Sequence, residues 1–220
     1  MAHSAAEPVA IAIFAKAPIE GFAKTRLIPR LGATGAAELQ RQLIERTVHT
    51  VRKAHVGPVS LWCSPSKNDP YFVSLGERLA MALYTQRGDD LGERMLHAVA
   101  VKTATMPTLL VGTDCAIITP EHFVRCADAL RRGADCVFIP VEDGGYILVG
   151  MRRPIPDLFT AIPWGTSDVM IKTRERIADL AITTIELAPL WDIDRQEDYD
   201  RAIVDGVLGP VDAASDTTRL

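Results

Sequence analysis

Four groups of residues in this chain have the types and spacing for phosphate and metal chemistry. The first is KAPIEGFAKTRL, residues 16–27, which sets the cations Lys16, Lys24 and Arg26 among a proline and a glycine, with Arg30 just beyond. Side-chain cations gathered on one loop can neutralise a diphosphate, since an opposite charge at ~4 Å contributes up to about 4 kcal/mol near a protein surface. The second is GTDC, residues 112–115, where Asp114 follows the apolar run TLLVG. A carboxylate there suits Mg²⁺ or Mn²⁺, which prefer oxygen ligands; taken alone, it would equally serve as a turn residue before the next helix. The third is EDGGYILVG, residues 142–150, in which Asp-Gly-Gly signals a tight hairpin and Asp143 reads equally as a turn residue and as a base. The fourth is WDIDRQED, residues 191–198. Asp194 and Glu197 have capping-box spacing, whereas Asp192 has no such structural role and is free to give a metal a second carboxylate.

Other features carry less. In GDDLGERM, residues 88–95, the acids suit a helix start, with Gly92 and Arg94 as secondary ligand-facing candidates. Trp164 reads by itself as a core anchor, and His97 and His122, on helices, as ordinary surface or core residues. Several nucleotide and hydrolase solutions are excluded: there is no G-x-x-x-x-G-K-[ST], no G-x-G-x-x-G after a strand, no H-E-x-x-H and no G-x-S-x-G. Phosphate must be met by side-chain cations, with a metal, rather than by a glycine cradle.

The elements that must position these groups alternate along the chain. VAIAIFA (9–15) reads as a strand buried on both faces. A helix is expected from about Thr34 to Ala54, leaving a connection of roughly 18 residues where about 2–6 are usual. Strands follow at 59–63, 83–86, 108–112, 136–140, 146–150 and 183–187. Helices are expected at 72–82, 91–103, 120–132, 167–180 and 195–207. This alternation predicts an α/β fold: a three-layer αβα sandwich with a mostly parallel central sheet and a local antiparallel hairpin at EDGG. In such sheets ligands bind at the carboxyl ends of the strands. Residues 1–208 read as one domain and 209–220 as a flexible tail.

Composition narrows the partners. At 220 residues, 48% hydrophobic and 24% charged, the chain has globular statistics. A net charge of −4 argues against nucleic acid held on a basic surface. No apolar run approaches the ~20 residues of a membrane span, and MAHSAAEP lacks the apolar centre of a signal peptide. Four cysteines without C-x-x-C spacing read as reduced thiols, so a cytoplasmic protein is expected.

In this order, KAPIEGFAKTRL, GDDLGERM, GTDC, EDGGYILVG, PWGTS and WDIDRQED resemble the bacterial glycosyltransferase-like family called radical-SAM/selenodomain-associated transferase 1. It is of GT-A type, within the nucleotide-diphospho-sugar transferases, and the resemblance spans about residues 9–205. It implies a GT-A-like fold with a nucleotide at the first loop, over Ala15, Lys16, Ala17, Gly21, Lys24, Thr25 and Arg26. It also implies Mg²⁺ or Mn²⁺ between Asp114, Asp192 and Asp194. Lys24, Arg26 and Asp143 would be catalytic, with Gly144, Gly145, Tyr146 and Trp164 on the acceptor side. The family pattern after the metal aspartate is close to GxDxPDL; here it reads GTDCAII, with Ala116 and Ile117 in place of Pro and Asp. The leading expectation is a metal-dependent glycosyltransferase that takes a nucleotide-diphospho-sugar and a small-molecule acceptor, with a homodimer left open. One alternative is a nucleotidyltransferase that joins an NTP to a phosphorylated acceptor and releases pyrophosphate. The other is a catalytically impaired nucleotide-binding protein.

Overall fold

In the computed structural model, which describes residues 6–211, strands and helices alternate as the apolar pattern requires. The order is β1 (Ala10–Lys16), α1 (Ile28–Ala54), β2 (Val59–Ser64), α2 (Pro70–Leu79), β3 (Ala82–Thr85), α3 (Leu91–Thr103), β4 (Thr108–Val111) and α4 (Pro120–Arg131). Then come β5 (Cys136–Pro140), β6 (Tyr146–Met151), α5 (Val169–Asp179), β7 (Thr184–Glu186) and α6 (Gln196–Val204). The strands form one sheet in the order β3-β2-β1-β4-β6-β5-β7. All pairings are parallel except the two made by β6, which runs antiparallel to β4 and β5.

Period-2 alternation in β1 divides the core. Ile11, Ile13 and Ala15 pack with Val48 of α1, Phe72 of α2 and Phe123 of α4 on one face. Ala12 and Phe14 pack with Met95 of α3 and Met170 of α5 on the other. Helices on both faces of the sheet give the expected αβα sandwich. A third cluster joins Leu39 and Leu43 of α1 to Tyr199 of α6 and to Trp191 and Ile193. It ties the chain's last segments to the carboxyl edge of the sheet. Because β2 and β3 lie on one side of β1 and β4 on the other, the strand order reverses between β1 and β4. Such a reversal opens a crevice at the carboxyl ends of the strands.

Several expected boundaries are corrected. The first helix does not wait for Thr34: a 3-10 turn at Thr25–Leu27 runs into α1 at Ile28. Pro29 near the N-terminus and a positive φ at Gly32 (71°) allow one helical turn, a kink, and then the long helix. The irregular part of the basic connection is therefore only residues 17–24. Helix α2 starts at Pro70 rather than Phe72, because Asp69 accepts the Tyr71 N–H (3.0 Å) as its cap. The Asp194–Glu197 capping box is shifted by one residue. Arg195 occupies the cap position and Asp198 Oδ2 accepts the N–H groups of Arg195 (2.7 Å) and Asp194 (3.1 Å). His122 is not an ordinary helix residue, since its Nδ1 accepts the Thr119 N–H (3.1 Å) at the start of α4. His97 is half-buried on α3, edge-on to Trp62 at 5.7 Å, as an ordinary helix residue. At the tail, Val211 is buried and its N–H donates to the Tyr199 hydroxyl (3.0 Å); residues 212–220 lie outside the described residues.

The antiparallel strand depends on a small residue. Gly150 of β6 sits in register with Leu109 of β4 and Val137 of β5. A Cβ added there would meet Leu109 Cδ2 at 2.5 Å and Val137 Cγ1 at 2.6 Å. Gly150→Val is expected to destabilise the fold by about 1–3 kcal/mol through overpacking. At roughly 2–4 °C per kcal/mol for a chain of this size, calorimetry should record the loss as a lower Tm; an unchanged Tm would refute the close packing of β6.

Candidate active site

Two adjoining cavities open at the carboxyl edge of the sheet. One, of about 520 Å³, lies over the ends of β1, β2 and β4 and includes Lys16, Thr25, Ser64, Gln86, Arg94 and Gly112. The other, of about 580 Å³, lies between the β5–β6 hairpin, the Trp164 loop and the 191–198 segment. Arg26, Asp114 and Asp194 line both. These three residues form the boundary between the cavities.

That boundary is built on Lys24. Its backbone is left-handed (φ 49°), which turns the loop sharply into the 3-10 turn. Its side chain is only 6% exposed, and Nζ reaches Asp114 Oδ1 at 2.6 Å and the Ile193 carbonyl at 2.5 Å. The Ile193 N–H in turn donates to the Asp114 carbonyl (2.9 Å). One buried cation thus joins the first loop, the end of β4 and the 191–194 segment. Beside it, Arg26 is ion-paired with Asp194. The cations predicted to meet phosphate and two of the carboxylates predicted to hold metal are therefore paired with one another.

The remaining carboxylates are crowded. Burial, followed by the charges of Asp143 and Asp114, pushes the half-buried Asp192 carboxyl up to about 7, with Lys24 opposing the shift. Asp143 does act as a turn residue: its Oδ1 accepts the Gly145 N–H (3.1 Å). It nevertheless lines the second cavity, so the turn fixes the carboxylate rather than removing it from the site. Gly144 is structural. With φ 97°, its place would put a Cβ 2.1 Å from the Ser167 carbonyl oxygen, and its own carbonyl accepts the Met170 N–H (2.8 Å) at the start of α5. This glycine docks the hairpin onto α5.

Tyr146 and Trp164 line the second cavity and meet edge to face with centroids 6.2 Å apart. Gly92, a secondary ligand candidate by sequence, instead makes room for the indole: a Cβ there would lie 2.7 Å from Trp164 Nε1. Arg94 does line the first cavity. The expected capping by the acids is present, since Asp90 accepts the Glu93 N–H (2.8 Å) and Glu93 accepts the Asp89 N–H (2.8 Å). Of the residues expected at the nucleotide, Ala15, Lys16, Lys24, Thr25 and Arg26 line the first cavity. Ala17 is buried beneath it, its N–H donating to the Ser64 carbonyl (2.7 Å). Gly21 holds a positive φ (74°) in the loop with open space around it.

Sequence reasoning passed over two glutamines. Gln40, 3% exposed on α1, donates to the Lys16 carbonyl (3.1 Å) and to Thr113 Oγ1 (3.3 Å), bracing the ends of β1 and β4. Gln86 donates to the Trp62 carbonyl (2.9 Å) across the ends of β2 and β3. A polar residue inside the apolar stripe of α1 was the available signal for Gln40. Position at the carboxyl end of a parallel strand was the signal for Gln86 and for Ser64.

Which group could occupy this boundary follows from its donors. Among the described residues no set of three or more His, Cys, Asp or Glu side chains is arranged to hold a metal by itself. The crowded carboxylates Asp114, Asp143 and Asp192 fit a hard divalent cation held by one or two protein oxygens, with ligand phosphates and water completing its shell.

Lys24→Met keeps the buried stem and removes the charge. Losing two charge-assisted hydrogen bonds, one to a carboxylate that is 51% exposed, should lower stability by about 1–3 kcal/mol, measurable by urea unfolding; wild-type stability would reject the clamp. The Asp192 shift has a definite sign. Between its ordinary 3.8 and about 7 the folded protein holds a proton that the unfolded chain has released, so stability falls as pH rises through that window. With chelator present, Asp192→Asn should flatten this decline in a Tm–pH profile; parallel profiles for the two proteins would count against the crowding.

Solved structures share this arrangement of sheet and helices. A protein of Desulfovibrio desulfuricans G20 assigned as a nucleotide-diphospho-sugar transferase is 28% identical, covering 85% of this chain and 82% of its own, with a TM-score of 0.77. The 4-diphosphocytidyl-2C-methyl-D-erythritol synthase of Anaerococcus prevotii is 13% identical, with 90% and 96% coverage and a TM-score of 0.62. Glucosyl-3-phosphoglycerate synthase of Mycobacterium tuberculosis, solved with Mn²⁺, uridine diphosphate and glucosyl-3-phosphoglycerate, is 13% identical, with 91% and 77% coverage and a TM-score of 0.54. No curated protein matches the chain in sequence. The expected GT-A-like fold and superfamily are borne out. Matched over residues 47–166, more than half its length, the chain belongs to the bacterial family described as "Uncharacterized protein conserved in bacteria (DUF2064)".

Proposed function

We propose that this protein transfers a group from a nucleotide-activated donor, and that the group is a sugar carried on a nucleoside diphosphate. The observation that carries this reading is the pair of cavities meeting at Arg26, Asp114 and Asp194. A two-substrate transferase needs two sites with a shared reacting edge, and the switch point between β1 and β4 is where such a sheet offers one. The nucleotide occupies the first cavity, over Lys16, Thr25, Gln86 and Arg94. Its diphosphate lies toward the boundary, where Lys24 and Arg26 supply positive charge. The acceptor occupies the second cavity, against Tyr146 and Trp164. The likeness to the Desulfovibrio protein supports the choice of donor.

Asp114 and Asp192 are the residues that would hold Mg²⁺ or Mn²⁺ there. When bound, such an ion supplies positive charge against the charge developing on a departing phosphate. The chain's own contribution is positioning and proton transfer. Arg26 offers a forked donor suited to phosphate oxygens. Asp143, tethered by the Gly145 N–H, is oriented to accept the proton of an acceptor hydroxyl.

Fold similarity to 4-diphosphocytidyl-2C-methyl-D-erythritol synthase keeps nucleotidyl transfer as the second reading. The products separate the two. Incubation with a panel of nucleotide sugars or NTPs and Mn²⁺ should release nucleoside diphosphate; release of pyrophosphate would establish the second reading. Calorimetry with UDP, GDP and CDP tests the shared premise. At least one should bind with Mn²⁺ and lose about tenfold or more in affinity with Asp114→Ala, equivalent to 1.4 kcal/mol. Binding that is indifferent both to chelator and to this substitution would favour the catalytically impaired nucleotide-binding protein.

A further inference from the structure

We infer that the second cavity takes an uncharged, hydroxyl-rich acceptor of carbohydrate type and rejects phosphorylated or carboxylated ones. This rests on the transferase reading above and goes beyond it in naming the acceptor class. The cavity wall carries Asp114, Glu142, Asp143, Asp192, Asp194 and Asp198 against two cations, Arg26 and Arg195. Most of these charges are already engaged. Asp114 is held by Lys24, Asp194 by Arg26 and Glu142 by Arg201 at 3.1 Å, while Asp198 accepts two backbone N–H groups. Among the described residues Asp143 and Asp192 make no ion pair; Asp143 holds the Gly145 N–H, Asp192 is the candidate metal ligand, and Arg195 is the cation not committed to one of these acids.

A site built for a phosphate monoester would gather several arginine or lysine side chains. This wall does the opposite. Carboxylates that only accept hydrogen bonds are satisfied by hydroxyl donors, and an added anion beside them, next to a donor diphosphate, is strongly disfavoured. Leu91, Met95, Tyr146 and Trp164 supply the apolar surface that a small polar ligand needs on its ring faces. A volume of about 580 Å³ suits a ligand of sugar size.

The transfer balances with such an acceptor. The acceptor hydroxyl oxygen bonds to the anomeric carbon as that carbon's bond to the donor diphosphate breaks. The hydroxyl proton passes to the Asp143 carboxylate and the nucleoside diphosphate leaves with the bonding pair.

Tryptophan fluorescence gives a test that needs no turnover, because Trp164 and Trp191 line the cavity while Trp62 is buried in the core. Glucose, mannose and galactose are titrated against their 6-phosphates, at low and high salt. At least one neutral sugar should bind about tenfold more tightly than its phosphate at low salt, with the gap narrowing at high salt as repulsion is screened. Asp143→Asn keeps an oxygen for the Gly145 N–H and should narrow the gap too. Equal or tighter binding of the phosphates, or no binding by any neutral sugar, would overturn the inference. UDP, GDP and CDP are titrated separately into the first cavity. If they fail while the sugars sort as expected, the donor reading falls and the acceptor class stands; if they bind while the sugars sort the other way, the acceptor inference alone fails.

Discussion

The contact on which the site depends is the buried Lys24 ammonium, placed between the Asp114 carboxylate and the Ile193 carbonyl. Three segments far apart in sequence converge on one charge: the first loop, the end of β4, and the strip entering α6. A cation that is 6% exposed must have partners, because an unpaired buried charge is costly. Here the need for partners fixes the spacing between the segments. The same contact brings Arg26 against Asp194 and leaves Asp192 beside Asp114 and Asp143. The two cavities are therefore defined by one ion pair and its neighbours rather than by separate pieces of architecture.

The sheet explains why the segments meet there. The order reverses between β1 and β4, so the loops leaving their carboxyl ends part and open a crevice. Strand β5 brings the chain to that edge, where the DGG turn sits, and antiparallel β6, inserted between β4 and β5, carries it away again. Gly150 makes the insertion sterically feasible, and Gly144 docks the resulting turn on α5. The glycines serve packing, and the carboxylates just before the turn glycines, Glu142 and Asp143, gain their positions as a result. Burial, and then like charges held close together before any ligand arrives, raise Asp192 and suit a cation brought in by the substrate.

The strand and helix alternation was legible in sequence because burial on two faces leaves unbroken apolar runs, as in Val9 to Ala15, and one-sided burial leaves a stripe, as in Leu39, Leu43 and Val51. The start of α1 was not. Gly32 and Pro29 resemble breakers by type, yet one sits at a kink and the other in a first helical turn, where each is tolerated. The cap of α6 moved by one residue for a related reason. Asp194 and Asp198 both have a capping residue's chemistry; Asp194 is ion-paired with Arg26, and Asp198 is the carboxylate that serves the helix.

By itself the sequence determined the layers, the parallel character of the sheet, and the identity of the charged groups at its carboxyl edge. Those follow from local periodicity and residue chemistry, which do not depend on distant partners. Only the tertiary structure decided that Lys24 and Arg26 would pair with Asp114 and Asp194, that Asp143 would be both turn and wall, and that Gln40 and Gln86 would brace the strand ends. These are contacts between residues as much as 168 positions apart. Charge is long-ranged and any cation can satisfy any carboxylate, so which pairs form is settled by where the folded backbone carries them.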